Sequence, residues 1–231
     1  MDSTAARFAL FDLDGTLVDS IAPLRAWARS LCDRYGLPEG GADWIIGNRD
    51  AHPTWQGFAG AAARHLGHAD SAELWTNDLL ANYPREFVLD PLAAERLEAL
   101  RAEGWKLGIV TNGGTTMQAA KIDQVRLHTY VDVICVSEAE GVRKPERAIF
   151  ESAARKLGVE LGPHGWMVGD TLGADIAGGI AAGLRTVWLP GEDAADRTAG
   201  GSATSRIDAE PRPDHVRGSI VDALDLILAS S

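Results

Sequence analysis

The chain of 231 residues contains only two cysteines, Cys32 and Cys135, and they lie far apart in the sequence. So few cysteines exclude a fold held together by several disulfides, and two reduced thiols are the expected state. Residues 1–7 show no basic stretch followed by an apolar one, which a secretory signal would have. We therefore expect a cytoplasmic protein without a structural disulfide.

Long hydrophobic runs are also missing, because the apolar stretches are short and interrupted by charged residues or glycine. This predicts that no helix spans a membrane. Basic residues are in the minority, with 22 Lys and Arg against 33 Asp and Glu and a formal net charge of −11. Such a surface repels nucleic acids and anionic metabolites alike. A phosphate site would have to carry its own positive charge, from a metal ion, a lysine or backbone amides.

Short apolar runs that end abruptly in polar residues recur along the chain and are typical of buried parallel strands. They occupy residues 8–11, 107–110, 131–136, 166–168 and 186–189. Helical patterns lie between the later runs, at residues 115–127, 145–157 and 174–182. This alternation predicts an α/β fold with a doubly wound, Rossmann-like parallel sheet, in which ligands bind beyond the carboxyl ends of the strands.

Residues 17–86 break the alternation, because apolar residues recur there at helical spacing and no strand-like run interrupts them. We interpret this stretch as an all-helical domain inserted after the first strand. The remaining residues, 1–16 and 87–231, would then form a discontinuous α/β core. Residues 191–213 are rich in Gly, Ala, Ser, Asp and Arg and are expected to form a surface loop.

The first strand ends in two carboxylates separated by one residue, Asp12 and Asp14. One carboxylate can attack phosphorus and form an aspartyl-phosphate. The other, when partly protonated, can give a proton to the leaving oxygen and later take one from water. An ordinary turn before Gly15 would also favour two aspartates, so this pair alone leaves both interpretations open.

A second acidic pair, Asp170 and Asp175, follows the strand at residues 166–168. Magnesium binds oxygen ligands, typically one or two carboxylates together with water and substrate phosphate. Carboxylates at two neighbouring strand ends would form such a site. A helix N-cap and a first-turn acid are the alternatives for these two residues, but it is harder to explain all four aspartates in that way.

Two further loops carry groups that suit a phosphate. Lys144 precedes a predicted helix and would supply the required positive charge, although a lone lysine is usually only solvated. Thr111 and Asn112 close the second strand, where the hydroxyl and nearby amide hydrogens can hold phosphate oxygens. Alone, Thr-Asn-Gly-Gly would be read as a simple turn.

Taken in order, these segments resemble the four motifs of the haloacid dehalogenase-like hydrolases. The motifs are DLDGTLVDS at residues 12–20, TN at 111–112, RKP at 143–145 and GD at 169–170 with Asp175. The resemblance covers residues 8–189 and is nearest to phosphoglycolate phosphatase-like members. Residues 17–86 are similar to the helical C1 cap of that family.

The resemblance implies that Asp12 is the nucleophile and Asp14 the general acid and base of a phosphatase. The substrate would be a small phosphomonoester, such as phosphoglycolate, a sugar phosphate or a nucleotide. A dehalogenase would have no use for an acid at Asp14, because halide leaves without protonation. A sugar phosphomutase uses the same core residues and remains an alternative, as does a non-catalytic binding module on the same fold.

The resemblance also implies how phosphate and metal are held. Thr111, Asn112 and Lys144 would bind the phosphoryl group. Mg²⁺ would be bound by Asp12, Asp14 (through its backbone carbonyl), Asp170 and Asp175, the last as a ligand or as support. In the predicted cap, Arg49 could pair with an anionic leaving group and set specificity. An exposed loop with an incidental arginine is the other interpretation of Arg49.

Overall fold

A parallel β-sheet is the largest β-structure of the computed structural model, which describes residues 6–52, 54–191 and 211–230. The described strands are β1 (Phe8–Phe11), β2 (Lys106–Thr111), β3 (Val133–Val136), β4 (Gly165–Gly169), β5 (Arg185–Trp188) and β6 (His215–Val216). Their order in the sheet is β3-β2-β1-β4-β5-β6, and every neighbouring pair is parallel. The predicted doubly wound α/β fold is therefore confirmed.

The helices alternate with the later strands and cluster between the first two. The described α-helices are α1 (Ile21–Tyr35), α2 (Gly41–Gly47), α3 (Trp55–His65), α4 (Ala72–Asn82), α5 (Pro91–Ala102), α6 (Thr115–Gln124), α7 (Ser137–Glu140), α8 (Arg147–Leu157), α9 (Ala177–Ala182) and α10 (Ile220–Ala229). One difference from the sequence prediction concerns residues 174–182, where a π-helical turn, Leu172–Ile176, comes before α9. The short strand β6 was also missed. Most of the predicted loop at 191–213 lies outside the described residues.

The chain divides into two compact units. The first contains the sheet and comprises residues 1–18, 89–118 and 126–231, and the second comprises residues 19–88 and 119–125. Helix α6 is therefore divided, with its first four residues in the sheet unit and the others in the helical unit. The limits 1–16 with 87–231 and 17–86 stay a prediction.

Strand β1 lies inside the sheet, because β2 and β4 flank it on its two sides. All four of its residues are buried, as the unbroken apolar run predicts. The core on one face joins Phe8 and Leu10 to Ile149, Phe150 and other side chains of α8. In the loop after the strand, Asp14 is half-buried and Gly15 is exposed.

In the helical unit, apolar spacing and two polar anchors explain the path of α1. Leu24 and Leu31 are buried, whereas Ile21 at the start of the helix is exposed. Asp19 accepts a hydrogen bond from the backbone N–H of Ile21 at 2.7 Å and so caps the helix. Asp78 of α4 accepts bonds from the Trp27 indole, at 2.8 Å, and from an arginine later in α1.

The described residues also bear on two negative predictions. Cys32 and Cys135 are both free thiols. None of the helices in the described ranges is long and apolar enough to cross a bilayer.

Gly165 tests how closely the sheet packs, because a Cβ at this position would lie 2.1 Å from the ring of Phe8. We expect Gly165→Ala to lower the free energy of unfolding by about 1–3 kcal/mol, since the ring has to move within a filled core. Urea unfolding followed by circular dichroism measures the change. Gly218→Ala is the control, because its Cβ meets only Asp222, at 3.9 Å. Equal stability of both variants would show that the ring has room to move.

Candidate active site

Two acidic loops meet at the carboxyl ends of β1 and β4. The loop after β1 turns back at once, with the backbone N–H groups of Leu17 and Val18 donating to the carbonyl of Leu13. Gly15 has a φ of +76°, and a Cβ there would lie 2.4 Å from Oδ2 of Asp170. Glycine is therefore required twice over, by its conformation and by the approach of the second acidic loop.

A buried ion triad lies between these loops. Lys144 Nζ is 2.5 Å from Oδ1 of Asp12 and 2.7 Å from Oδ1 of Asp175. The three residues are 3%, 7% and 1% exposed in that order, so solvent hardly screens the charges. One lysine thus faces two carboxylates, and the triad alone carries a net negative charge.

The low solvent exposure shifts the ionisation of these groups. Burial raises the pKa of Asp12, the positive charge of Lys144 lowers it and the negative charge of Asp175 raises it, and together these effects move it from 3.8 to about 7. Burial lowers the pKa of Lys144, but the two carboxylates outweigh it and leave the pKa above its ordinary value. Burial also raises the pKa of Asp170, with Asp175 adding to the shift. The site is short of positive charge.

Asn112 fixes the position of Lys144 through the backbone. Its Nδ2 donates to the carbonyl of Lys144 at 3.0 Å, and its Oδ1 accepts the N–H of the same residue at 2.9 Å. Both polar ends of the side chain are therefore engaged by Lys144. Asn112 therefore positions Lys144, and its assignment to phosphate binding stays a prediction.

Asp175 lies in the π-helical turn Leu172–Ile176, which follows the Gly-Asp pair of the fourth motif. Its Oδ2 accepts the backbone N–H of Thr171 at 3.0 Å, while its Oδ1 faces Lys144. A Cβ at Gly169 would lie 2.3 Å from the side chain of Asp175, so this glycine makes room for it. Asp170 bonds to the hydroxyl of Thr171 at 3.0 Å, and the α-helical N-cap considered for Asp170 is not formed.

Three carboxylates of this site can approach one cation. Oxygen atoms of Asp12, Asp170 and Asp175 all lie within 4.8 Å of one another. An all-oxygen donor set with an excess of negative charge suits a hard divalent ion such as Mg²⁺. The residues present therefore fit the predicted metal, and the fourth predicted aspartate, Asp14, lies two residues from Asp12 on the same loop.

Gln118 of α6 was not identified from the sequence. Its Nε2 donates to Oδ2 of Asp14 at 2.9 Å and to Oγ1 of Thr111 at 2.7 Å, and the residue is only 2% exposed. Two predicted site residues are thus joined by one amide. The sequence offered one indication of its burial: Gln118 lies in a helix in which the apolar residues Met117 and Ile122 are also buried.

Arg49 lies in the helical unit, on a short 3₁₀ turn after α2. Its Nη1 donates to the carbonyl of His52 at 2.7 Å, and its guanidinium stands 3.8 Å from the centroid of the Trp55 ring. These contacts hold the side chain against an aromatic surface. The assignment of Arg49 to substrate specificity stays a prediction.

The helical unit also contains a buried lysine that was not identified from the sequence. Lys121, in the part of α6 that belongs to this unit, is 2% exposed. Its Nζ lies 5.6 Å, 5.5 Å and 5.2 Å from the ring centroids of Trp55, Tyr83 and Phe87. Aromatic faces stabilise a cation that has lost most of its water.

The raised pKa of Asp12 predicts a specific pH dependence of stability. Without metal, the unfolded chain ionises this carboxyl above 3.8 and the folded protein only near 7. The loss of stability caused by ionising the buried Asp12 carboxyl is therefore absent at low pH. It grows between these two pH values and is complete above them. In EDTA, we expect the free energy of unfolding of the wild type, relative to Asp12→Asn, to fall by about 1–4 kcal/mol as the pH rises from about 4 to about 7.

Urea titrations at about pH 4, 6 and 8 measure this difference. Asp90→Asn is the matched control, because Asp90 caps α5 by accepting the N–H of Leu92 and asparagine keeps that cap. A wild-type minus Asp12→Asn difference that stays constant with pH would contradict the raised pKa.

Comparison with known proteins agrees with the fold and the site. The family model for haloacid dehalogenase-like hydrolases matches residues 7–183. A ribulose-1,5-bisphosphate 5-phosphatase of Halopiger xanaduensis is 32% identical over 96% of this chain and 99% of its own length. A glyceraldehyde 3-phosphate phosphatase of Pyrococcus abyssi is 31% identical over 78% of this chain and 79% of its own.

Among solved structures, magnesium-bound YfnB of Bacillus subtilis aligns with a TM-score of 0.74. It is 21% identical and covers 97% of this chain and 99% of its own, so this likeness concerns the fold alone. The two curated relatives are phosphatases by name, in agreement with the predicted enzyme class, a phosphoric monoester hydrolase. The chain belongs to the haloacid dehalogenase-like hydrolase family.

Proposed function

We propose that the protein is a Mg²⁺-dependent phosphatase that hydrolyses a small phosphomonoester through an aspartyl-phosphate on Asp12. The observation that carries this proposal is the buried contact of 2.5 Å between Asp12 and Lys144, with Asp170 and Asp175 close by. A carboxylate in this place has a cation beside it to receive the phosphoryl oxygens. It also has little water around it to compete with the substrate.

In the first step, an ionised oxygen of Asp12 attacks phosphorus. The bond between phosphorus and the leaving oxygen breaks, and its electron pair stays on that oxygen. Asp14 then gives its proton to the leaving oxygen, so that the product departs as a neutral alcohol. Lys144 and the hydroxyl of Thr111 hold the phosphoryl oxygens, which carry negative charge throughout.

In the second step, water attacks the phosphorus of the aspartyl-phosphate. Asp14, now ionised, takes a proton from this water as its oxygen bonds to phosphorus. The bond between phosphorus and Asp12 breaks, which restores the carboxylate and releases inorganic phosphate. One residue thus serves as acid and then as base, and the enzyme returns to its starting protonation.

Asp12, Asp170 and the backbone carbonyl of Asp14 would hold Mg²⁺, with Asp175 as a further ligand or as support for Lys144. The ion pair of Asp175 with Lys144, at 2.7 Å, favours the supporting role. When bound, the ion neutralises the carboxylates and the phosphate, so that two negatively charged partners can approach. This supplies the positive charge that a chain of net charge −11 otherwise lacks.

The names of the curated relatives favour a small phosphorylated carbohydrate or similar metabolite as substrate. They act on ribulose-1,5-bisphosphate and glyceraldehyde 3-phosphate by name. Asp14 supports phosphate transfer over dehalogenation, because an alkoxide leaving group needs a proton and a halide does not. We further propose that the helical unit acts as the cap of this enzyme and that Arg49 favours anionic leaving groups.

The nucleophile is tested by phosphate release from a panel of sugar phosphates, phosphoglycolate and nucleotides. We expect Mg²⁺-dependent turnover that EDTA removes and that Asp12→Asn lowers by at least ~1,000-fold, because the amide cannot attack phosphorus. The control Asp90→Asn should match the wild type. Turnover by Asp12→Asn at the wild-type rate would exclude Asp12 as nucleophile, and a folded wild type that releases no phosphate from any substrate would contradict the proposed function.

The role of Arg49 is tested by comparing phosphoglycolate with glycerol phosphate, whose leaving group is neutral. We expect Arg49→Met to lower kcat/KM for phosphoglycolate by about 10-fold or more, since a charge-assisted contact is lost, and to change the other value little. Arg29→Met, which removes an exposed arginine of the same unit, is the control. An equal loss on both substrates would assign Arg49 to the packing against Trp55 alone.

A further inference from the structure

The side chain of Gln118, in the sheet unit, bonds both to the proposed general acid Asp14 and to the proposed phosphate-binding residue Thr111. Its Nε2 has two hydrogens, and each has an acceptor, Oδ2 of Asp14 at 2.9 Å and Oγ1 of Thr111 at 2.7 Å. The residue is buried, so water does not replace either bond. We infer that Gln118 is a positioning residue that directs the proton of Asp14 to the leaving group. This inference rests on the proposed function.

The direction of the hydrogen bonds carries the argument. An amide N–H can only donate, so the two oxygens that face Nε2 act as acceptors. Oδ2 of Asp14 accepts this bond, which favours Oδ2 as the carbonyl oxygen of the protonated carboxyl and Oδ1 as the oxygen that carries the proton. Without Gln118 the carboxyl loses the hydrogen bond that distinguishes its two oxygens.

The same reasoning applies to Thr111. Because its Oγ1 accepts a hydrogen from Gln118, its own hydroxyl hydrogen has to point to another acceptor. A phosphoryl oxygen is the acceptor that the reaction brings. Gln118 thus sets the hydroxyl of Thr111 as a donor to phosphate and, through its other hydrogen, sets Asp14 as a donor to the leaving oxygen.

The surrounding backbone keeps Gln118 in this position. A Cβ at Gly113 would lie 3.0 Å from both Cγ and Cδ of Gln118, so the glycine of the Thr-Asn-Gly turn leaves the space that this side chain fills. The backbone N–H of Gln118 also bonds to the carbonyl of Gly114 at 3.1 Å in the first turn of α6. The amide is therefore placed by the turn that includes the second motif and by the first turn of α6, which begins three residues after that motif.

This role predicts an effect that depends on the leaving group. An alkyl phosphate needs protonation of its leaving oxygen, whereas 4-nitrophenyl phosphate has a leaving group that departs as the anion. Loss of the Thr111 contact affects both substrates alike, but misdirection of the Asp14 proton affects only the first. The ratio of the two kcat/KM values therefore reports on Asp14 alone.

The experiment uses the full chain with Mg²⁺ and the variants Gln118→Met and Asp14→Asn. We expect Gln118→Met to lower kcat/KM for the alkyl phosphate about 100-fold and for 4-nitrophenyl phosphate less than about 10-fold. Gln124→Met is the matched control, because Gln124 is an exposed glutamine of the same helix that bonds to the carbonyl of Arg85. The control should leave both values within about 2-fold of the wild type.

The double variant separates positioning from general damage. If Gln118 acts through Asp14, adding Gln118→Met to Asp14→Asn should not change the alkyl to aryl ratio further. Equal losses on both substrates in the single variant, or additive changes of the ratio in the double variant, would overturn the inference. Gln118→Glu, of the same length, gives a second test if the Met variant does not fold, and the same selective loss is expected.

The proposed function and this inference fail in different ways. A wild type that releases phosphate from neither substrate would overturn the proposed function, and the inference with it. A wild type that hydrolyses both substrates and loses activity in Asp12→Asn, but whose ratio is insensitive to Gln118→Met, would overturn only the role of Gln118.

Discussion

The attraction between one buried lysine and two buried carboxylates is the constraint on which the site depends. Burying these charges costs several kcal/mol for each ion, and only close pairing offsets this cost. The short distances from Lys144 to Asp12 and Asp175 meet that condition. The neighbouring structure serves the same contact, since Asn112 holds the backbone of Lys144 and a tight turn holds Asp175.

The parts of the fold that the sequence predicts are those with a local physical signature. The run at residues 8–11 is apolar throughout because β1 is covered on both faces, and the polar residues after it mark a strand end. Asp12, Lys144 and Asp175 were recognised for the same reason, since each follows a strand or precedes a helix. Each of them alone also had an ordinary explanation, and the resemblance of the ordered motifs to a known family supplied their expected roles.

The parts that escaped prediction depend on distant partners. Gln118 looks like an ordinary helix residue, and only the fold brings its amide to Asp14, 104 positions away in the chain. The π-helical turn before α9 contains Asp175, which lies close to Gly169, and no residue pattern in the sequence expresses this turn. Strand β6 has only two residues and no periodicity to read. Lys121 required three aromatic residues of two other segments to explain its burial.

The division of α6 between the two units limits how the helical domain could be exchanged between proteins. A domain made only of residues 19–88 could ordinarily be exchanged for another as one continuous segment, because it would interrupt the rest of the chain at a single point. Here residues 119–125 belong to the same unit, and Lys121 packs on rings at Trp55, Tyr83 and Phe87. A transplanted helical domain would therefore have to match a surface that the host chain supplies. Diversification of this domain within a lineage is expected to proceed in step with changes in the second half of α6.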